Sequence, residues 1–400
     1  MVNYLLTSEK NECCGCGACE QKCLQKAITM RKDKNGFLYP YIEKDKCSNC
    51  LVCHNVCPFM DAGYIYNQVV KIPEVYLASH EDDEILKRST SGGAFSAIAE
   101  VFCDNKYAIF GAAFDENLVV QHKYINNIRE LCKFRGSKYV QSVIGKCYNH
   151  AEVLLKDGKK VLFSGTPCQI AGLRSYLNKE YENLLCVDLI CHGVPSPLML
   201  KKYISYLENK SGKKVEYISF RDKSKYGWLI PCTRIDFVSS ERAEFHLADD
   251  DPYEKISLSN IALRESCYSC KFAKSKRVGD LTIGDFWGAE TLYPKIDYRK
   301  GLSLILVNTV KGRHIFEQIR CFTLCKKTDI SSASAMNKNL LYPTVKHKKY
   351  YAFYKDLKNL EFNILAKKYF LSRPFYIRVL SVLLKPKTKR WIKKFLRIKK

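Results

Sequence analysis

The sequence predicts three parts: an α+β unit at residues 1–70, a mixed α/β domain at residues 71–335, and a basic, mainly helical tail at residues 336–400. In the first part, two cysteine runs flank a short hairpin pattern. In the second, apolar strand patterns alternate with helical patterns. In the third, lysines and arginines are interleaved with aromatic residues. A chain of 400 residues is long enough for two to three domains.

The N-terminal unit is organised by two cysteine runs that share the spacing C-x2-C-x2-C-x3-C. In bacterial ferredoxins with this spacing, three cysteines of a run hold one 4Fe-4S cluster and the fourth ligates the other cluster. Zinc or disulfides are the alternative, but zinc sites usually pair two CxxC units. We therefore predict a two-cluster ferredoxin-like unit. The expected ligand sets are Cys13, Cys16, Cys19 and Cys57 for one cluster, and Cys47, Cys50, Cys53 and Cys23 for the other.

A short hairpin is predicted between the two runs. Residues 27–31 and 37–42 flank an Asp-Lys-Asn-Gly sequence, and Asn-Gly is a strong turn signal between strands. A boundary is predicted near Ile72 and Pro73, so residues 74–79 should form the first strand of the next domain.

The second part alternates strands and helices, which favours an open, largely parallel sheet. Ligands of such sheets bind outside the carboxyl ends of the strands, and Cys168 and Cys191 follow two of these strands closely. After residue 214 the pattern becomes richer in strands. The predicted strands are 107–114, 118–125, 160–164, 184–190, 215–220, 233–238, 280–284 and 301–308, and the predicted helices are 94–103, 145–156 and 169–177.

Composition limits the compartment and the partners. Twenty cysteines follow no signal-peptide pattern, so we expect the reducing cytoplasm rather than a disulfide framework. No run of 18 apolar residues exists, so no membrane-spanning helix is expected. The net charge is +25, but residues 341–400 hold 18 basic and 2 acidic residues and so carry most of it. Nucleic-acid binding is not expected, because no recognition module accompanies the charge.

A third group of thiols is suggested by Cys267 and Cys270, which form a C-x2-C half-site. Together with Cys168 and Cys191 they would complete a third 4Fe-4S site. Cys168 would lie at a helix start, where free amides and the helix dipole favour a thiolate. The alternative, favoured by the pattern alone, is that Cys168 and Cys191 are small buried hydrophobic residues.

Five sequence blocks follow one another in the second part. They are residues 89–95 (STSGGAF), 135–142 (RGSKYVQS), 164–169 (SGTPCQ), 188–196 (DLICHGVPS), and the pair 266–270 (SCYSC) and 279–288 (GDLTIGDFWG). In this order the blocks resemble the family of coenzyme F(420) hydrogenase/dehydrogenase beta subunits, and the resemblance covers about residues 10 to 320. It implies a flavoprotein with an FAD beside a 4Fe-4S cluster held by Cys168, Cys191, Cys267 and Cys270.

Residue types suggest where a flavin would bind. A helix start rich in hydroxyls and glycines suits a pyrophosphate, although a plain helix cap is the alternative. Basic side chains on a glycine-containing loop would supply counter-charge, unless they are merely solvated. Two residues after a strand could line the isoalloxazine pocket, although the tryptophan suits a core equally. The residues concerned are Ser89, Thr90, Ser91, Gly92 and Gly93 at the helix start, Arg135 and Lys138 on the loop, and Asp285 and Trp287 after the strand.

His192 is the one candidate acid or base, because it adjoins the expected ligand Cys191 at the end of a strand. A histidine whose hydrogen bonds are satisfied within its loop is the alternative, and the sequence favours it.

In the tail, residues 385–400 combine nine basic residues with aromatic and aliphatic ones, which suits a helix at an anionic membrane surface. A solvated tail or a helix that docks a partner are the alternatives.

These features predict a cytoplasmic iron-sulfur flavoenzyme that contacts the inner face of the membrane through its tail. Electrons from a ferredoxin or flavodoxin would pass through the clusters to FAD, which can pair single electrons into a hydride. The expected substrate is a sugar-linked small molecule in cell-surface polysaccharide biosynthesis, because many bacterial members of the family that the chain resembles are associated with that process and the basic terminal helix suits that setting. Two alternatives are a beta subunit linked to a deazaflavin coenzyme, and an electron carrier without its own substrate.

Overall fold

The computed structural model describes residues 9–60, 72–103 and 106–369. The strands within these ranges are β1 (Ile28–Lys32), β2 (Leu38–Ile42), β3 (Glu74–His80), β4 (Tyr107–Phe114), β5 (Val120–Ile125), β6 (Lys160–Gly165), β7 (Leu184–Leu189), β8 (Val215–Asp222), β9 (Cys232–Phe237), β10 (Glu244–Leu247), β11 (Leu281–Asp285), β12 (Ser303–Val307) and β13 (Thr323–Thr328). The helices are α1 (Ala18–Lys22), α2 (Val52–Asn55), α3 (Asp83–Arg88), α4 (Ala94–Phe102), α5 (Cys147–Lys156), α6 (Pro167–Leu177), α7 (Pro197–Ser211), α8 (Pro252–Leu258), α9 (Ala289–Leu292), α10 (Val310–Ile319), α11 (Ile330–Ser334), α12 (Tyr350–Asn359) and α13 (Phe362–Tyr369).

The N-terminal unit contains the predicted hairpin. Strands β1 and β2 pair antiparallel, with Ile28 opposite Ile42. The Asp33 side chain accepts hydrogen bonds from the backbone N–H groups of Asn35 and Phe37, which closes the turn. One short helix follows in each cysteine run, α1 in the first and α2 in the second. The hairpin prediction is therefore confirmed.

The main sheet has eight strands in the order β13-β3-β12-β11-β7-β6-β4-β5. Its centre is parallel, since β4 pairs with β6, β6 with β7, and β7 with β11 in that sense. Strand β5 returns antiparallel beside β4, and β12, β3 and β13 extend the other side as antiparallel neighbours. The sheet is mixed, so the prediction of a largely parallel sheet was wrong outside its centre. Between β11 and β12 lies only a loop with the short helix α9, instead of a full crossover.

A second layer packs beside the main sheet. Strands β10, β9 and β8 form a three-stranded sheet, which shares a core with helices α7, α8, α12 and α13. In this core Phe353, Leu357, Phe362 and Leu365 are almost completely buried.

The segment predicted to be a tail therefore contains helices, as expected, but up to residue 369 these helices pack into the core of the domain. Residues 370–400, which include the predicted membrane-surface helix, lie outside the described residues. Within the described ranges, no helix is both long and apolar enough to span a membrane.

Candidate functional site

Cys13, Cys16, Cys19 and Cys57, which we call the first set, lie together. Burial raises the pKa of Cys19 well above its ordinary value, and the nearby thiols of Cys13 and Cys57 raise it further. Cys16 likewise lies close enough to Cys57 and Cys19 to interact with them. The structure therefore brings the last cysteine of the second run to the first run, as the crossed ligand pattern requires.

The second set consists of Cys23, Cys47, Cys50 and Cys53. Three of these thiols pack around Ile28 and Ile42 of the hairpin, whereas Cys50 is exposed. The backbone N–H of Val52 and the Ser48 side chain lower the pKa of the Cys50 thiol.

The backbone has the same left-handed conformation at corresponding positions of the two cysteine runs. Gly17 has φ +73° and Leu51 has φ +61°, each directly before the short helix of its run. A left-handed conformation is costly for leucine, so the loop geometry overrides the preference of that residue.

The third set consists of Cys168, Cys191, Cys267 and Cys270. Cys168 starts helix α6 directly after β6, and Cys191 follows β7, so two adjacent parallel strands bring them to the same edge. Backbone pairing between Pro195 and Leu263 brings the loop of Cys267 and Cys270 to that edge. Burial raises the pKa of Cys191 to about 12, and the nearby thiols of Cys168 and Cys270 add to this effect.

All four cysteines of the third set line a small cavity of about 40 Å³. Within the described part of the chain, no three His, Cys, Asp or Glu side chains converge in a way that would hold a single metal ion. A 4Fe-4S cluster requires a wider arrangement of ligands than a single ion does, because each of its four irons binds a separate thiolate. Soft thiolate donors in sets of four are the donors that such clusters require. The cysteine sets fit clusters by their chemistry and by their grouping.

A second, larger cavity of about 660 Å³ lies at the same edge of the main sheet, and we call it the large cavity. Cys191, Thr166 and Gln169 line both this cavity and the small one at the third set. Among the residues predicted to bind a flavin or to act as an acid or base, the large cavity is lined by Ser89, Thr90, Ser91, Gly93, Arg135, Lys138, His192, Asp285 and Trp287.

Gly92 is the exception among the predicted residues. A Cβ atom at this position would lie 2.4 Å from the carbonyl oxygen of Ala78, so the glycine allows its loop to pack on β3. The neighbouring hydroxyls also fix the loop. Ser89 donates to the carbonyl of Ile85, and Ser91 donates to the carbonyl of Leu302. What this segment presents to the large cavity is therefore mainly the start of α4.

The two predicted basic residues have different surroundings. Arg135 donates from Nε to Ser96 Oγ at 2.9 Å, which holds its half-buried guanidinium beside the first turn of α4. Lys138 donates from Nζ to the carbonyls of residues 133–136, at 2.8 to 3.2 Å. Burial lowers the pKa of Lys138 to about 7. Lys138 thus organises the loop that carries Arg135.

One wall of the large cavity is aromatic. Trp287 is stacked on Trp228 with ring centroids 5.1 Å apart and planes 7° apart, and the guanidinium of Arg221 lies 4.4 Å from the Trp287 ring. Asp285 accepts hydrogen bonds from Arg221 at 3.1 Å and from Trp228 Nε1 at 3.0 Å. The sequence did not indicate Arg221 or Trp228, because both reach Asp285 across about sixty residues of chain.

His192 is fixed by a residue far along the chain. Its Nδ1 lies 3.1 Å from Asn339 Oδ1, whereas its buried Nε2 has no hydrogen-bond partner. Residues 336–339 line the large cavity as well. No candidate site residue was predicted from the sequence in this segment.

A buried polar network that the sequence did not reveal connects the large cavity to the Cys168 loop. Burial lowers the pKa of His122 to about 4, so this ring is neutral. Its nitrogens contact the Ser164 carbonyl at 3.1 Å and Ser142 Oγ at 2.9 Å. Gln169 donates to Ser142 and accepts from the backbone N–H of Thr166. The network fixes the start of α6, on which Cys168 lies.

Two family models match the chain. Residues 158–332 match the model described as the C terminus of the coenzyme F420 hydrogenase/dehydrogenase beta subunit, and residues 12–60 match a 4Fe-4S dicluster domain. The second match spans both N-terminal cysteine runs, and the first spans the whole third set.

Curated relatives have related names. One subunit of the F(420)H(2) dehydrogenase of Methanosarcina mazei is 24% identical over 329 residues, which are 77% of this chain and 82% of the relative. The coenzyme F420-dependent sulfite reductase of Methanocaldococcus jannaschii is 24% identical over 313 residues, 76% of this chain but only 45% of the relative. A chain of the F420-reducing [NiFe] hydrogenase complex from Methanosarcina barkeri aligns with a TM-score of 0.44 at 17% identity, over 69% of this chain and 89% of that chain.

Proposed function

We propose that this chain, an iron-sulfur oxidoreductase of the family of coenzyme F420 hydrogenase/dehydrogenase beta subunits, exchanges electrons between a deazaflavin coenzyme and a protein partner. An FAD and three 4Fe-4S clusters would serve this exchange. The proposal adopts the deazaflavin alternative in place of a polysaccharide-related reductase, because both relatives that match most of the chain are named for coenzyme F420. A role in polysaccharide biosynthesis has no support from these relatives.

The observation that carries the proposal is the shared wall between the two cavities. Cys191 lines the small cavity of the third set and the large cavity at once. A redox group in the large cavity would therefore lie next to a cluster ligand. Such contact suits electron exchange, whereas a site that only stores electrons needs no adjoining cavity.

The large cavity fits a flavin by size and by lining. Its volume of about 660 Å³ lies within the roughly 300–1,000 Å³ that is usual for ligand pockets. The start of α4 and Arg135 would hold the pyrophosphate, because helix N-termini and guanidinium groups both bind phosphates. Trp287 and Arg221 would flank the ring system. When bound, FAD exchanges electrons in pairs with a coenzyme and singly with iron-sulfur clusters.

The cysteine sets are arranged in a spatial series. The second set reaches the surface at Cys50, and Cys19 of the first set lies close to Cys53 of the second. Gly172 of α6 packs against Cys16 of the first set, one helical turn after Cys168 of the third. The series therefore leads from the surface to the large cavity, and a protein partner would approach at Cys50.

The cofactor content tests the proposal directly. We expect protein purified without oxygen to contain about twelve irons and one FAD per chain, since three cubanes hold four irons each. About eight irons without flavin would instead indicate a simple carrier. The Cys267→Ser variant should lose about four irons and retain both N-terminal clusters, whereas the control Cys132→Ser, at an exposed cysteine outside all three sets, should retain all of them.

The substrate is tested with the same preparation. The reduced deazaflavin coenzyme should reduce the bound flavin and then the clusters, as followed by their visible spectra. A panel of nucleotide sugars added to the reduced protein should leave it reduced. Reoxidation of the reduced protein by a nucleotide sugar, together with no response to the coenzyme, would contradict the proposal and support the polysaccharide hypothesis instead.

A further inference from the structure

Arg264 is a completely buried cation at the junction between the first and third cysteine sets. It donates from Nε to the Cys13 carbonyl at 2.8 Å and from one terminal nitrogen to Gln141 Oε1 at 3.0 Å. Its other terminal nitrogen donates to the Leu38 carbonyl at 3.0 Å and lies 3.7 Å from Cys13 Sγ. The guanidinium is thus held rigidly by neutral oxygens and one ligand sulfur.

The charge of Arg264 lacks the kind of partner that other buried arginines in the described ranges have. Arg277 pairs with Asp188 at 2.8 Å, Arg221 with Asp285 at 3.1 Å, and Arg174 with Glu180 at 3.0 Å. All the hydrogen-bond acceptors of Arg264 are neutral groups, apart from the Cys13 sulfur. Because an uncompensated buried charge is strongly destabilising, a negative counter-charge is required nearby.

The position of Arg264 identifies where that counter-charge lies. Its side chain contacts Cys13 of the first set, and its carbonyl accepts from the backbone N–H of Cys267 in the third set at 3.0 Å. Arg264 also lines the small cavity together with all four cysteines of the third set. The absence of a side chain at Gly15 leaves room for the guanidinium of Arg264, because a Cβ atom there would lie 2.9 Å from one of its terminal nitrogens.

A thiol that belongs to neither set lies between them beside this arginine. The side chain of Cys14 lies close enough to Cys16 of the first set and to Cys168 of the third to interact with both. Gln141 links the two features, since it accepts from Arg264 and donates to the Cys14 carbonyl at 3.0 Å.

We propose that Arg264 is the shared counter-cation of the clusters in the first and third sets, and that it raises the reduction potentials of both relative to the second. This inference rests on the three cluster sites of the proposed function. A cluster gains negative charge on reduction, and a fixed buried cation stabilises the reduced form through a poorly screening interior. Arg264 is a positioning and tuning residue, and it does not ligate iron.

The test is a potentiometric titration of the intact protein without oxygen, followed by electron paramagnetic resonance. In Arg264→Gln, the midpoint potentials of two clusters should become more negative, while that of the second set should stay unchanged as an internal control. Arg264→Lys should restore most of the shift. Arg31→Gln removes an exposed positive charge from the same N-terminal unit, where solvent and salt screen it, and should move no potential.

The outcomes separate this inference from the proposed function. Full iron content with all midpoints unmoved in Arg264→Gln overturns the inference alone, whereas wild-type protein without three clusters overturns the proposed function as well. Where Arg264→Gln fails to retain iron, Gln141→Glu serves instead, because it leaves Arg264 in place and gives it a carboxylate partner. The same two midpoints should become more negative in that variant, and unchanged midpoints would refute the shared counter-cation.

Discussion

Gly172 shows how a single missing side chain sets the distance between the first cysteine set and α6. A Cβ atom at this position would lie 2.9 Å from the Cys16 Cβ, 3.0 Å from the Cys16 sulfur and 2.9 Å from the Tyr148 hydroxyl. These neighbours are buried, so they have little room to move. The close approach of α6 to the first set therefore depends on glycine, even though glycine weakens a helix interior.

We expect Gly172→Ala to separate the first set from α6. Overpacking of this kind typically costs about 1–3 kcal/mol, against a gain of about 1 kcal/mol in helix propensity. Iron analysis should show the loss of about four irons, and the melting temperature should fall. Ser175→Ala on the same helix serves as the control and should keep its iron. A Gly172→Ala protein with full iron and an unchanged melting temperature would contradict the packing argument.

Glu254 provides a pH-dependent prediction. It is completely buried and accepts a hydrogen bond from Thr233 at 2.7 Å, while its Oε2 has no partner. Burial and the nearby Asp251 raise the pKa of Glu254 to about 7. The folded protein therefore keeps a proton that the unfolded chain releases above about pH 4.3. Stability should fall as the pH rises from about 4.3 to 7 and remain lower above 7.

The variant Glu254→Gln removes this titration while keeping a similar shape. Because the pKa shift corresponds to about 4 kcal/mol, the variant should gain stability of that order at pH 8 and much less at pH 5, as measured by chemical denaturation. Glu84→Gln, at an exposed helix position, should show no such difference. An equal effect of Glu254→Gln at both pH values would show that Glu254 does not titrate in this range.

Among single residues, those in local patterns could be predicted from the sequence. The eight N-terminal cysteines follow a fixed spacing, and Cys168 and Cys191 follow predicted strands, so their grouping could be expected. Arg221 and Asn339 could not be found, because their partners Asp285 and His192 lie 64 and 147 residues away. Arg264 has the same difficulty, since 251 residues separate it from Cys13.

At the scale of elements, strand positions were more predictable than strand directions. The pattern at residues 107–114 coincides with β4, and the pattern at residues 160–164 with β6. Whether a strand runs parallel or antiparallel to its neighbour depends on the path of the connection between them. The sequence gives only the length of that connection, not its path. The antiparallel edge formed by β12, β3 and β13 was missed for that reason. Strand β13 was not predicted at all, because its basic residues interrupt the apolar pattern that is typical of a buried strand.

The helices α12 and α13 lead to a prediction about truncation. They fill the core beside α7 and β8, and Tyr354 donates to the carbonyl of Ala262 at 2.7 Å. Removal of residues 336–400 should therefore expose this core and yield aggregated protein without flavin. Removal of residues 370–400 is the matched control, because it leaves α12 and α13 in place, and this protein should stay folded and keep its cofactors. Equal behaviour of the two truncated proteins would contradict the structural role of α12 and α13.

For the whole molecule, the three cysteine sets differ in their access to the surface. The second set reaches the surface at the exposed Cys50, whereas the cysteines of the first set are buried or half-buried and those of the third are half-buried and line the small cavity beside the large one. This gradient suits a protein that meets a partner at one end and a small coenzyme at the other. The sequence predicted that electrons pass from the N-terminal clusters to a third cluster and a flavin. It could not indicate which N-terminal set lies beside the third set, because that depends on the packing of Gly172 and Arg264.

The same gradient predicts how the protein responds to air. Brief exposure to oxygen should remove iron from the second set first, since oxygen reaches an exposed cluster most readily. Iron analysis and electron paramagnetic resonance during exposure should show an intermediate with about eight irons, in line with four irons per cubane. The comparison is a sample held without oxygen for the same time. Simultaneous loss of all three clusters would contradict the gradient.

The walls of the large cavity come from distant parts of the chain, and this affects the order of biosynthesis. Ser89 and Arg135 lie early in the chain, whereas residues 336–339, which also line the cavity, lie about two hundred residues later. A ribosome that adds about 5–20 residues per second would need on the order of ten seconds or more to make the intervening segment. The two N-terminal cysteine runs would be available on the nascent chain during that time, but the large cavity is complete only after residue 339 has emerged.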